Sequence, residues 1–182
     1  MKICFAVAVL AALTTPLFAQ EAPKPAPEHQ KLTASVGTWD AVVEMMGEDG
    51  KPQTNKAVSE ITAIGGLWVI DDFKGSMGGA DFHGHGTTGY DPAKGKYIGT
   101  WIDSWSTSIM TLEGTYDAAK KALTMSGTGP GMDGKPVLHH MVTTEKDANT
   151  RVFEMFVPGP DGKAMKIMTI TYTRRAQKGA AK

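Results

Sequence analysis

From Trp39 onward the chain alternates short runs rich in Val, Ile, Thr, Met and aromatic residues with clusters of Asp, Gly, Pro and Lys. The clusters recur as EDGKP at 48–52, DPAKG at 91–95, DAAK at 117–120, MDGKP at 132–136, KDAN at 146–149 and PGPDG at 158–162. Such clusters between short apolar runs are hairpin connections, because Gly and Asp accept the backbone angles of tight turns. The spacing predicts about ten strands, near 39–46, 54–64, 67–75, 82–90, 97–103, 107–116, 122–128, 137–145, 151–157 and 164–174. Strands joined in sequence, with no crossover helices between them, indicate an all-β antiparallel sandwich or up-and-down barrel. Before them, Glu28 to Val36 has room for one short helix, with Gly37 as its expected stop.

Alternation within strands groups Trp39, Ala41, Val43 and Met45 on one face, against Asp40 and Glu44. In the last strand Met168, Ile170 and Tyr172 share a face, opposite Thr169, Thr171 and Thr173. Tyr97, Gly99, Trp101 and Asp103 form a mixed polar and aromatic face, with Ile98, Thr100 and Ile102 behind it. That mixture suits a ligand cavity and a wet outer wall equally, so alternation leaves the inward face of this strand unassigned.

The ends of the chain read differently. Residues 1–19 have the form of a secretory signal: Lys2 as the basic start, an apolar stretch from Ile3 to Leu13, and Leu17-Phe18-Ala19 before a cut at Gln20. The apolar stretch is shorter than the roughly 20 residues of a membrane span. Export to the periplasm or beyond is therefore expected, with no transmembrane segment after cleavage. Residues 20–27, QEAPKPAP, form a Pro-rich linker. The expected domain is 28–175, and 176–182 is expected to be a disordered tail.

Composition narrows the function classes. The 182 residues carry Lys+Arg 19 against Asp+Glu 19, which excludes a chain-wide basic footprint for nucleic acid. The single cysteine, Cys4, lies in the signal. The mature chain therefore has neither a disulfide nor a thiol nucleophile.

Candidate chemistry falls in three places. Ten of the 11 methionines follow Met1, and Met45, Met110, Met125, Met141, Met155, Met165 and Met168 fall in expected strands. Flexible thioethers suit a cavity that takes apolar ligands and also fill irregular cores. Trp39, Trp68, Trp101, Trp105 and Tyr172 would close such a cavity or pack as core. In Phe82-His83-Gly84-His85-Gly86 the two histidines share a strand face with Asp81, a spacing able to hold one metal ion. His139 and His140 point to opposite faces, and one of them is the alternative as an axial ligand for haem. Asp103, Ser104 and Ser106, with Glu113 beyond, supply parts of a hydrolytic site, with Asp103 and Glu113 sharing a cavity as one arrangement. No Gly-x-Ser-x-Gly elbow accompanies them. The glycine-rich stretches 75–79 and 126–131 have no phosphate-loop Lys-Ser/Thr.

Val36-Gly37-Thr38-Trp39 resembles the Gly-x-Trp opening of lipocalins and related calycins, and Arg174 stands on the last strand. The resemblance implies that Trp39 and Arg174 meet as a cation–π closure of one barrel end. More specifically, the chain resembles the bacterial family called domain of unknown function 1579. The matching stretches include Glu28-His29-Gln30-Lys31-Leu32, Gly65-Gly66-Leu67-Trp68, Gly89-Tyr90-Asp91, Tyr97 to Ser104, Glu113 to Asp117, Phe153 to Met155 and Ile170 to Arg174. This implies a calycin-like barrel and no reaction.

The expected function is non-catalytic binding of a small apolar or amphipathic molecule, with no cofactor. Trp39, Trp101, Asp103, Met110, Met168 and Tyr172 are the expected lining. The alternatives are a metal or haem protein using His83 and His85 or His139 and His140, and an envelope interaction module with a filled barrel.

Overall fold

The computed structural model describes residues 22–47, 50–131 and 134–176. A short helix, α1 (Pro27–Thr33), precedes β1 (Gly37–Met46), β2 (Pro52–Ile64), β3 (Trp68–Met77), β4 (Ala80–Asp91) and β5 (Lys96–Asp103). There follow β6 (Met110–Asp117), β7 (Ala122–Pro130), β8 (Pro136–Glu145), β9 (Thr150–Pro158) and β10 (Ala164–Arg174). Each strand pairs antiparallel with its chain neighbour, and β10 returns to β1 to close the barrel. The seam runs from Trp39 opposite Arg174 to Met45 opposite Met168. Closure leaves no unpaired sheet edge.

All ten expected strands are present, as is the calycin-like form. Most starts fall within two residues of expectation, and the largest difference is at β6, which begins at Met110, three residues later than the expected 107. Upstream of it, the Trp105 amide donates to Asp103 Oδ1 at 2.9 Å and the Ser108 amide to Ser106 Oγ at 3.2 Å. Short polar side chains that bond nearby backbone compete with a ladder. The helix also differs from expectation. Pro27 belongs to it rather than to the linker, at a first turn where a missing N–H costs nothing. It ends at Thr33, well before Gly37.

Burial assigns the faces. Trp39, Ala41, Val43, Ile170 and Tyr172 are buried inside, and Asp40 and Glu44 are exposed. On β5 the mixed face turns inward: Tyr97 is buried, while Ile102 lies outside at 46% exposure. Gly84 and Gly86 explain why β4 faces as it does. Both are buried, and a Cβ on Gly84 would collide with the Trp101 ring. The small inward positions admit that indole, and the alternation then turns His83 and His85 outward.

The helix covers one end of the barrel through buried His29 and Leu32. The Tyr97 hydroxyl donates to the Glu28 carbonyl at 3.3 Å, and His29 meets Tyr90 edge-on with ring centres 5.7 Å apart. The opposite half of the interior is packed, with Phe73, Met77, Met45, Phe82 and Met168 in one apolar cluster. Residues 1–21, which carry the expected signal, and 177–182, most of the expected tail, lie outside the described residues.

Candidate functional site

At the helix end, Arg174 stacks 4.1 Å above the Trp39 ring. Its Nη1 donates to the Val36 carbonyl at 2.6 Å, Nη2 to Ala34 at 2.8 Å and Nε to Ala148 at 3.2 Å. Trp39 Nε1 donates to the Ser35 carbonyl at 2.9 Å. The place of Gly37 follows from this closure. Its φ is +136°, and a Cβ there would stand 2.8 Å from Arg174 Nη1.

Between this closure and Trp101 lies a cavity of about 300 Å³. The interior of the barrel is therefore hollow in the half nearest the helix. Its wall is largely apolar, including Leu112, Leu123, Met125, Met141 and Phe153. The indole of Trp101 forms part of the boundary toward the packed half, held by an Nε1–H bond to Asp103 Oδ2 at 3.0 Å. Phe73 stands edge-on to Trp101, Tyr172 and Phe82 at 6.5, 6.4 and 6.0 Å, continuing the aromatic packing beyond it.

Six charged residues border this cavity: Lys31, Asp71, Glu145, Asp147, Arg151 and Arg174. The Arg151 guanidinium lies 4.4 Å from the centre of Trp39 and 4.5 Å from that of Tyr172. Its Nε is buried without a hydrogen-bond acceptor among the described residues. Burial pushes its pKa down, and the nearby Tyr172 and Asp71 act against that; an arginine starting from so high a value keeps its charge. On β3, Asp71 accepts a 2.7 Å bond from the fully buried Ser59 hydroxyl. Burial raises the Asp71 pKa, and the Ser59 bond and the charge of Arg151 pull it back in part. Burial also raises the Tyr172 phenol, so it stays protonated at neutral pH.

Of the residues expected from sequence, Trp39, Trp101, Tyr172 and Arg174 border the cavity. Asp103 stands behind Trp101 as its hydrogen-bond acceptor. Met168 belongs to the packed half, and Met110 lies against Gly127 and Gly129. Neither methionine borders the cavity; Met125 and Met141 take that place. Trp68 covers Gly89 on the outer wall, and Trp105 sits on a loop, edge-on to Phe82 at 5.2 Å.

Arg151 and Asp71 were missed by the sequence reading, although a signal existed. Arg151 shares its strand parity with Phe153, Met155 and Val157, and adjacent Asp71 and Asp72 must point to opposite faces.

The histidines lie elsewhere. His85 Nδ1 donates to Asp72 Oδ1 at 2.9 Å on the outer wall, and His83 Nε2 is 3.7 Å from the same oxygen. The carboxylate that meets them is thus Asp72 across the ladder, while Asp81 pairs with Ser76 near the hairpin. Among the described residues no group of three His, Cys, Asp or Glu side chains is arranged to hold a metal ion. His139 is buried, with Nδ1 donating to the Val137 carbonyl at 3.2 Å, and is outside the cavity wall. Burial lowers its pKa, which favours the neutral ring. His140 bonds Ser126 on the exterior at 3.0 Å. Glu113 is also exterior, held by Lys94 and Lys96 at 2.8 and 2.9 Å, which bring its pKa down to about 2. It shares no cavity with Asp103. Ser104 Oγ accepts from the His83 amide, and Ser106 Oγ pairs with Ser108.

The family model described as a protein of unknown function, DUF1579, matches residues 24–174. The chain belongs to this family. No curated protein matches it in sequence. The DUF1579 barrel is similar to the crystal structure of Rv2717c from M. tuberculosis, with a TM-score of 0.64 at 12% identity, over 84% of this chain and 100% of that one. It is also similar to the S-type phycobiliprotein lyase CPES from Guillardia theta, with a TM-score of 0.59 at 11% identity, over 83% and 94% of the two chains. At such identities the likeness is one of fold. Among the described residues of this DUF1579 chain, no helix is long and apolar enough to cross a membrane.

Proposed function

We propose that this DUF1579 protein is an exported, non-catalytic barrel that binds one small amphipathic molecule in its interior. The observation that carries the reading is the cavity of about 300 Å³, with apolar and aromatic walls and the charged side chains of Arg151 and Asp71 at its surface. Pockets of this size and composition hold small molecules, with apolar walls for affinity and a few polar groups for orientation. The Ser104 hydroxyl accepts from the His83 main-chain amide, and the Ser106 hydroxyl pairs with that of Ser108. The hollow half of the barrel favours a carrier over an interaction module with a filled core.

The test is native mass spectrometry of the protein purified from its own envelope fraction without added metal. The expected result is a chain beginning at Gln20 with a noncovalent adduct that is lost on denaturation. A chain that retains residues 1–19, or fractionates with the cytoplasm, contradicts export. A metal or haem mass in place of an organic adduct contradicts the cofactor-free reading.

A further inference from the structure

Resting on that reading, we propose that the molecule held in the cavity carries a single carboxylate, and that this group binds Arg151.

A guanidinium removed from water needs an anionic or hydrogen-bonding partner. Arg174, which also borders the cavity, has its Nη1, Nη2 and Nε donating to three main-chain carbonyls. Arg151 is arranged differently: two aromatic rings stack on it while its buried Nε–H has no acceptor. Stacking holds the plane of the group and leaves its in-plane N–H donors as the means of recognition. The two nearby carboxylates have other partners. Asp71 accepts from Ser59, and Glu145, beside Arg151 in the ladder, accepts from the Tyr116 hydroxyl at 3.4 Å.

The charge of the occupant follows from this setting. A carboxylate is planar, matches the guanidinium fork and brings one negative charge. A phosphate dianion would bring a second charge to a wall that already holds Asp71, Glu145 and Asp147, and a cation would meet Arg151 together with Lys31 and Arg174. The rest of the molecule faces Leu112, Leu123, Met125 and Phe153, so it is apolar.

The experiment compares decanoate, 1-decanol and decyltrimethylammonium on the purified protein by calorimetry and tryptophan fluorescence at neutral pH. The expected order places decanoate about tenfold or more tighter than decanol, the value of a charge-assisted pair, with the cation weakest. Arg151→Met should bring decanoate and decanol to similar affinity, whereas Arg151→Lys should retain part of the preference. Decanol binding as tightly as decanoate to the unaltered protein overturns the assignment and leaves a carrier of neutral molecules. Failure of all three probes counts against this ligand class and the carrier reading together. If Arg151→Met does not fold, the probe series on the unaltered protein and the lysine variant decides the question.

Discussion

Arg174 lies 4.1 Å over the Trp39 ring, joining the last strand to the first across the barrel seam. Trp39 also carries Arg151 at 4.4 Å and is 3% exposed, so one indole supports both the end closure and the cavity wall. Trp39→Ala should destabilise the barrel by about 3–5 kcal/mol, the range for truncating a buried aromatic. Urea unfolding measures this, and an unchanged midpoint would remove the closure from the account.

Gly84 is needed because the Trp101 ring occupies the place of its side chain. Gly84→Ala should cost about 1–3 kcal/mol through overpacking and shift the tryptophan emission as Trp101 moves. His85→Ala, by contrast, removes an exposed pair with Asp72 and should cost no more than about 1 kcal/mol. Equal effects of the two substitutions would contradict the packing reason for this motif.

Asp71 should make stability fall with rising pH. Its folded pKa is raised mainly by burial, so its contribution is full below the unfolded value of about 4 and is lost as pH rises through the folded value. Asp71→Asn resembles the protonated form. It should raise the melting temperature at pH 7 and converge with the unaltered protein near pH 3–4. A variant less stable at pH 7 would mean that the attraction of Arg151 outweighs the burial.

Tyrosine titration gives a second pH test at the opposite limit. Burial pushes the Tyr97 phenol up to about 12, and the phenols of Tyr116 and Tyr172 are also raised. Groups with raised pKa stabilise below their unfolded value near 10, and that contribution is lost as pH climbs through the folded values. At pH 11 the folded protein should show fewer phenolates by ultraviolet difference than the unfolded chain. Equal phenolate content in a chain that is still folded would contradict the burial of these rings.

The strand order was legible because turn clusters and two-residue alternation are local properties. The Trp39–Arg174 closure was legible through the family resemblance. The cavity was harder to read, since its boundary depends on which inward side chains meet across strands. Trp101 and Tyr172 were recognised by their size. Met110 and Met168 looked identical to Met125 and Met141 in pattern, yet Met110 lies against Gly127 and Gly129 and Met168 joins the apolar packing, while Met125 and Met141 border the cavity. Arg151 was hidden by habit: a charge at the start of a strand suggests solvent, and only closure turns it between two rings. Asp103 looked like a cavity group because it shares Trp101's face, and its observed partner is the indole itself.

The ligand is expected in the hollow half of the barrel. Leu123, on the cavity wall, offers the most direct test. Native mass spectra of the unaltered protein and Leu123→Trp, each purified from the envelope and matched for folding by circular dichroism, give the measurement. A single organic adduct is expected on the unaltered barrel, and its loss from the filled variant. An adduct retained by folded Leu123→Trp at the same stoichiometry would place the ligand elsewhere and contradict the account.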